Sequence, residues 1–105
     1  MKRLAFKMYL NEGQKEEYKK RHNPIWKELE QTLFEHGVQT YSIFLDPDSR
    51  DLFGYAEIES LSEWLKVADT EICKKWWDYM MPLMPCNDDH SPISKELQEV
   101  FHIEK

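Results

Sequence analysis

The stretch Leu52–Glu63, LFGYAEIESLSE, contains both the end of a strand and the start of a helix. From Leu52 to Glu59, apolar residues occupy every second position, which is the period of a half-buried strand. Ser60 and Glu63 then match the capping box S-x-x-E, in which the serine caps the first turn of a helix. The stretch therefore predicts a β-strand that leads directly into an α-helix.

A second strand pattern lies just upstream and is separated from the first by turn residues. The segment Gln39–Leu45, QTYSIFL, alternates in the same way and places Tyr41 on its inner face. Residues 46–51, DPDSRD, are rich in the Asp, Pro and Ser that form turns. We expect the two strands to pair as a β-hairpin.

The N-terminal third predicts another strand, Arg3–Leu10, followed by a helical region from Gln14 to about Glu35. Pro24 interrupts this region, because proline has no N–H and its ring clashes with the carbonyl four residues earlier. The helix must kink or restart there, and Asn23 with Pro24 would suit the cap and first position of a second helix.

The C-terminal half predicts a helix in two segments, a long loop and a last strand. Asp69 and Thr70 interrupt the helical pattern after Ser60, and Thr70 can cap the second segment. Prolines end that segment, and residues 82–95 show no periodicity, so we expect a loop that serves function or reaches a partner. Leu97–Ile103, LQEVFHI, is the expected final strand.

The predicted order β-α-β-β-α-β is that of a ferredoxin-like α+β fold, and we expect residues 1–105 to form a single domain. Two helices can cover only one face of a four-stranded sheet, yet the strands carry apolar side chains on both faces. The second set consists of Ala5, Tyr9, Phe44, Phe53, Tyr55, Phe101 and Ile103. We therefore expect a two-fold homodimer whose sheet faces pack together.

Composition excludes several classes of function. Twenty acidic residues against 14 basic ones give a net charge of −6, which argues against nucleic acid or an anionic membrane as the main partner. No apolar run approaches the length of a membrane span, and no signal-peptide pattern follows Met1. Cys73 and Cys86 cannot hold this fold together alone, so we expect a cytoplasmic protein with free thiols.

The spacing of ligand-type residues does not support a metal or phosphate site. There is no C-x-x-C motif, the four histidines lie in four different predicted elements, and three scattered glycines form no phosphate-binding loop. Asp88, Asp89 and His90 are adjacent, but a solvated loop is the favoured interpretation. We expect neither a metal nor a cofactor.

His22 is the main candidate for chemistry, because it shares a helical face with Tyr18, four residues earlier. Both point towards the sheet, where Tyr41 projects inwards. A core histidine bonded to a carbonyl is the structural alternative. Pro24, expected to bend the helix and free the carbonyl of Lys20, favours a site, since histidine titrates near working pH.

Trp76 and Trp77 are the second candidates. Adjacent helical residues diverge by about 100°, so they cannot both enter one core on the same face. In one interpretation Trp76 belongs to the core and Trp77 fills an interface. In the other, the indoles form a wall for the C–H face of a sugar whose polar edge meets Tyr and His groups.

Three segments resemble the signature of the L-rhamnose mutarotase family: Tyr18–Trp26, Cys73–Trp77 and Glu96–Phe101. The resemblance covers essentially the whole chain. It implies a dimeric α+β barrel that interconverts the α and β anomers of L-rhamnose without cofactor or metal. It also implies a proton donor at His22, which would protonate the ring oxygen as the sugar opens. Its sugar-binding positions match Tyr18, Tyr41, Trp76 and Trp77.

One loop departs from the family pattern. Where relatives read Asn-Pro-Asp-Asn, this chain has Asn87-Asp88-Asp89-His90, a change that bears on the rigidity of the loop and the closure of the pocket. Selectivity for a 6-deoxy sugar would need an apolar wall near its methyl group. Candidates for this wall are Met8, Met80 and Met84.

Two other functions use the same features. Cofactorless monooxygenases share the barrel, and a fold does not fix a function; such an enzyme would need an apolar, electron-rich substrate. A regulatory module would bind the sugar without accelerating the exchange of its anomers.

Overall fold

A computed structural model describes residues 1–105. Its four strands are β1 (Lys2–Tyr9), β2 (Val38–Leu45), β3 (Asp51–Ile58) and β4 (Lys95–Leu97). They form one antiparallel sheet in the spatial order β2-β3-β1-β4. The helices are α1 (Lys15–Arg21), α2 (Lys27–Glu35), α3 (Leu61–Lys66) and α4 (Glu71–Met80), with short 3-10 turns at Val67–Asp69 and Met81–Leu83. The ferredoxin-like α+β fold is confirmed.

Strand β3 lies inside the sheet and supplies the centre of the core. Leu52, Ala56 and Ile58 are at most 1% exposed, whereas Phe53, on the opposite face, is 36% exposed. The alternation of LFGYAEIE therefore sets which side chains meet the helices. Gly54 also points inwards, and a Cβ there would lie 2.5 Å from the Phe6 ring. The missing side chain makes room for Phe6 on the neighbouring strand.

Both predicted caps in the second half are confirmed. The Ser60 hydroxyl accepts a hydrogen bond from the Glu63 backbone N–H, and the Thr70 hydroxyl accepts one from that of Cys73, each at 3.3 Å. The Glu63 carboxylate accepts from Lys66 at 2.8 Å and not from the Ser60 N–H, so only the serine half of the capping box forms. These caps fix where α3 and α4 begin, and α4 ends at Met80 just before the prolines.

The region around Pro24 differs from the prediction in two ways. It does separate two helices, but α2 begins at Lys27, and a cis Asn23–Pro24 bond lies in the connection. The Asn23 side chain donates to the Lys19 carbonyl at 2.7 Å, so it closes α1 instead of capping α2. The Lys20 carbonyl is not free either, because the Asn23 N–H donates to it at 3.2 Å.

The predicted final strand, Leu97–Ile103, is wrong. Strand β4 covers only Lys95–Leu97, paired with residues 5–7 of β1, and the chain after it has no regular structure. Val100, Phe101 and Ile103 are 77–89% exposed. An alternating pattern supplies the side chains of a strand, but a strand also needs a neighbour for its backbone, and no other strand lies beside these residues.

The sheet face away from the helices is apolar only in part. Phe44 and Phe53 are paired across β2 and β3, and Phe44 is 67% exposed. Charged residues share this face: Lys7 lies 3.4 Å from Asp51. Phe101 and Ile103, which we expected to extend the face as part of a strand, lie outside the sheet. No helix of the chain combines the length and hydropathy needed to cross a bilayer.

Candidate active site

A cavity of about 1350 Å³ lies between the helices and the inner face of the sheet. All the site residues predicted from the sequence line it: Tyr18, His22, Tyr41, Trp76 and Trp77. They come from α1 and the residue that follows it, from β2 and from α4, so the fold brings together residues that are up to 59 positions apart in the chain.

His22 directly follows the last residue of α1, and its ring is held at one nitrogen. Its Nδ1–H donates to the Tyr18 carbonyl oxygen at 2.9 Å, and no protein group bonds Nε2. Burial lowers the pKa of His22, although the bond to the Tyr18 carbonyl opposes this shift. The imidazole is therefore neutral at pH 7, with a proton on Nδ1 and a lone pair on Nε2. The structural alternative, a histidine bonded to a carbonyl, therefore accounts for Nδ1 only and leaves Nε2 available.

The phenols of Tyr18 and Tyr41 are neutral hydrogen-bonding groups. Burial is the main cause that raises both pKa values, and Tyr18 and Cys73 raise that of Tyr41 further through charge interactions. Neither hydroxyl bonds a protein group, and no buried side-chain nitrogen or oxygen lacks a partner, so both hydroxyls open to the cavity. They can hydrogen-bond sugar oxygens, but they do not ionise near neutral pH.

Trp76 and Trp77 line the same cavity although they diverge on α4. Trp76 is 8% exposed and belongs to the main core with Met80. Its ring meets that of His22 edge-on, with 5.1 Å between the centroids. Trp77 is half-buried. Trp76 therefore holds both roles that the sequence offered as alternatives, because it packs in the core and also forms a wall of the cavity.

Sequence reasoning missed an aromatic stack behind Trp76. The Trp26 ring meets Trp76 at 5.1 Å and stacks on Tyr79, also at 5.1 Å. The Arg21 guanidinium lies 4.2 Å from the centre of the Tyr79 ring and is held by Glu17 at 2.7 Å. The available signals were the three-residue spacing of Trp76 and Tyr79 and the place of Trp26 on the apolar stripe.

The loop that departs from the family pattern is closed by its own hydrogen bonds. The Asn87 N–H donates to the Ser91 carbonyl at 2.8 Å, and its side chain donates to the Ser91 hydroxyl at 3.0 Å. His90 has a left-handed φ of 71° and its Nδ1 lies 2.7 Å from an Asp78 carboxylate oxygen on α4. The loop is thus fixed to α4, and Asn87 and Ser91 line the cavity.

No group of three or more His, Cys, Asp or Glu side chains is arranged to hold a metal ion. Cys73 and Cys86 are free thiols, as predicted. Burial raises the pKa of Cys73 to about 11, so it is a thiol at neutral pH. The Cys86 thiol donates to the Met84 carbonyl at 3.2 Å.

A model of the L-rhamnose mutarotase family matches residues 3–103. The chain belongs to the L-rhamnose mutarotase family. An L-rhamnose mutarotase from Opitutus terrae is 52% identical over 104 residues, which cover 99% of this chain and 100% of that protein. One from Escherichia coli O157:H7 is 53% identical over 103 residues, covering 98% and 99% of the two chains.

Two solved structures share this fold. The crystal structure of an L-rhamnose mutarotase from Formosa agariphila is 47% identical, with a TM-score of 0.91 and coverage of 99% and 100%. A dimeric ferredoxin-like protein from an uncultured marine organism is 13% identical, with a TM-score of 0.67 and coverage of 98% and 97%. The second likeness concerns the fold alone.

Proposed function

We propose that the protein interconverts the α and β anomers of L-rhamnose by opening and reclosing the pyranose ring. The observation that carries this proposal is the state of His22: Nδ1 is held by the Tyr18 carbonyl, and Nε2 is unpaired on the wall of a cavity. The names of relatives at about 50% identity supply the sugar. The monooxygenase alternative lacks this support, because monooxygenases are similar to this chain in fold alone.

The reaction needs a proton to leave the anomeric hydroxyl and a proton to reach the ring oxygen. Both oxygens are attached to C1, so a single nitrogen can serve both. Nε2 of neutral His22 takes the anomeric proton, and the imidazolium donates it to the ring oxygen as the bond between C1 and that oxygen breaks. The carbonyl group rotates, and the reverse transfers close the ring on its other face. His22 remains the proton donor to the ring oxygen and also acts as the base.

The remaining site residues bind and orient the sugar in this proposal. The hydroxyls of Tyr18 and Tyr41 contact its oxygens, and Trp76 and Trp77 contact its C–H faces. A positioned proton carrier contributes roughly 10²–10⁴-fold, and the spontaneous exchange in water already proceeds without help. No metal or cofactor takes part.

The methyl group at C6 has a suitable wall. Met8, Met80 and Met84 are 3–6% exposed, and all three line the cavity. We expect L-rhamnose to be exchanged faster than L-mannose, whose C6 hydroxyl would lose its water against this wall. Exchange rates for L-rhamnose, L-fucose and L-mannose would test the wall, and equal rates for L-rhamnose and L-mannose would contradict it.

The substitution His22→Ala tests the catalytic proposal. We expect the variant to keep its fold and to lose most anomer exchange, because no other cavity group offers a neutral nitrogen acceptor. Saturation-transfer NMR at the anomeric protons measures the exchange directly. Near-normal exchange would remove His22 from the role, and sugar binding with no exchange in the unchanged protein would favour the regulatory module.

We also propose that residues 1–105 act as a single cytoplasmic domain that forms a homodimer through its sheet faces, as in a dimeric α+β barrel. The exposed pair Phe44–Phe53 and the exposed Phe101 supply apolar area for such an interface. Free thiols and an acidic balance fit the cytoplasm. Analytical ultracentrifugation at micromolar concentration should show a dimer, and a Phe44→Glu variant should shift it towards monomer.

A further inference from the structure

The cavity is larger than one sugar ring requires. Its volume of about 1350 Å³ exceeds the roughly 300–1000 Å³ of sites that hold drug-sized ligands, and a single pyranose is smaller than such a ligand. The rings packed around His22, those of Tyr18 and Trp76, form one aromatic group on the cavity wall, and we call their position one end of the cavity. The other end needs its own explanation.

A second aromatic group lines that other end. Phe6 on β1, Tyr41 on β2 and Trp64 on α3 form a cluster, with 6.0 Å between the Phe6 and Tyr41 rings and 5.6 Å between the Tyr41 and Trp64 rings. All three are half-buried and line the cavity. We call this end, lined by Phe6, Trp64 and the exposed Leu61 and Leu65, the distal lobe.

Tyr41 joins the distal lobe to the sugar site. Its ring packs against Phe6 and Trp64, and its hydroxyl opens to the same cavity as that of Tyr18. One side chain therefore belongs to both ends of the cavity. A ligand that extended past Tyr41 would pass from the His22 end into the distal lobe without leaving the cavity.

The distal lobe is exposed to solvent on the side of α3. Helix α2 packs against α4 and β2, and α3 reaches the sheet through Trp64, which packs against Phe6 and Tyr41. Leu61 and Leu65 are 47% and 61% exposed. Because the two leucines are exposed and also line the cavity, we call their position its mouth.

Polar groups stand at the edge of the same lobe. The pairing of β2 with β3 shifts register between Val38 and Thr40, and Gln39 and Thr40 both line the cavity. Such bulges re-aim side chains near binding sites. The Gln39 amide nitrogen donates to Glu59 at 2.8 Å, so its carbonyl oxygen can still accept a hydrogen bond. Aromatic faces with a few polar edge groups are the chemistry that binds a sugar ring.

We propose that the distal lobe is a second sugar subsite, which holds a pyranose ring joined to a non-anomeric oxygen of the L-rhamnose at His22. The protein would then exchange the anomers of reducing disaccharides that end in L-rhamnose. The link must avoid the anomeric oxygen, because that hydroxyl has to lose its proton. The chemical step itself is unchanged, and the proposal rests on the placement of the reacting ring at His22.

The test uses three reducing disaccharides that carry a glucosyl group on O2, O3 or O4 of L-rhamnose. Saturation-transfer NMR should show that at least one of them is exchanged with a kcat/KM within about tenfold of that of L-rhamnose.

The substitution Trp64→Leu should lower kcat/KM for that disaccharide by about five- to tenfold, which is the effect of one aromatic contact. It should change L-rhamnose exchange less than twofold. Equal losses for both sugars would make Trp64 a core residue only and would overturn the subsite.

A second variant covers the case in which Trp64→Leu fails to fold. Leu65 is exposed at the mouth, so Leu65→Trp should fold, narrow the opening and slow only the disaccharide. A matched Ser62→Trp variant, which places the same ring at an exposed position of α3 that does not line the cavity, should leave both sugars unchanged. If Leu65→Trp has no effect on disaccharide exchange, the second ring does not lie in the distal lobe.

Binding to the His22→Ala protein separates this inference from the proposed function. In that protein we expect the exchanged disaccharide to bind several-fold more tightly than L-rhamnose, as measured by calorimetry, although neither sugar is exchanged. Equal or weaker binding would overturn the subsite even if L-rhamnose exchange is normal. Tighter binding of 4-O-octanoyl-L-rhamnose than of any disaccharide would assign the lobe to an apolar group and would also overturn it.

Discussion

Two histidines of this chain occupy the same local position and have different surroundings. His22 follows α1 and His36 follows α2, and each donates from Nδ1 to the carbonyl of the residue four positions earlier, at 2.9 Å and 2.7 Å. Both are partly buried. Helix-end geometry therefore fixes the tautomer of each ring in the same way.

The difference lies in what surrounds the free nitrogen. His22 lies between the rings of Tyr18 and Trp76, at 4.4 Å and 5.1 Å, on the wall of the cavity. His36 is not part of that wall, and it lies near Glu63, whose pKa is lowered mainly by Lys66 and to a smaller extent by His36. Equal local geometry thus gives a candidate catalytic group in one place and a surface histidine in the other.

The sharpest way to break this comparison is to remove each histidine in turn. We expect His22→Ala to lower the catalysed anomer exchange by roughly 10²–10⁴-fold and His36→Ala to change it less than twofold. Saturation-transfer NMR on both variants at equal concentration measures the pair. If His36→Ala caused a comparable loss, helix-end geometry and not the cavity would decide the function.

The dependence of kcat/KM on pH should next distinguish His22 from His36. Because the pKa of His22 is lowered below its usual 6.5 by burial and Nε2 must be unprotonated to begin the reaction, kcat/KM should be constant above that pKa. It should fall about tenfold per pH unit below it. The His36→Ala variant should give the same profile. Loss of kcat/KM as pH rises from 6 to 8 would mean instead that the imidazolium begins the reaction.

Substitutions in the aromatic stack should have a smaller effect on the exchange than the loss of His22. Tyr79→Ala removes the ring between Arg21 and Trp26, so Trp76 loses support and the His22 ring loses a fixed neighbour. We expect kcat to fall about fivefold. The stability of the C-terminal end of α2, around His36, should change little. Tyr79→Phe keeps the ring and should behave as the unchanged protein. Equal losses in the two variants would show that the phenol hydroxyl, not the stack, matters.

The smallest expected effect concerns stability. A lowered pKa in the folded state means that the unfolded chain binds the His22 proton first, so the free energy of unfolding falls as pH drops below about 6.5. The fall is up to about 1.4 kcal/mol for each pH unit between the two pKa values. Urea unfolding at pH 7.5 and 5, at one protein concentration, should show this contribution disappear in His22→Ala. A pH dependence unchanged by the substitution would contradict it.

Local signals predicted the elements that depend on short-range chemistry. The starts of α3 and α4 were predictable because Ser60 and Thr70 bond to N–H groups only three residues away. The inner faces of β2 and β3 were predictable because alternation is built into a strand. The separation of two helices near Pro24 was predictable, but the start of α2 was not, since the Asn23 side chain bonds back to Lys19.

The candidate site was predictable in its members and not in its arrangement. The sequence alone determined the order of elements, the helix caps, the face that each strand turns to the helices, and the resemblance that names His22, Tyr18, Tyr41, Trp76 and Trp77. Only the tertiary structure decided that these side chains line one cavity and that Trp26, Tyr79 and Arg21 support its wall. It also decided that the last strand, β4, ends at Leu97. The physical reason is that caps and alternation act within a few residues, whereas a cavity, a stack and a strand pair each need partners from distant parts of the chain.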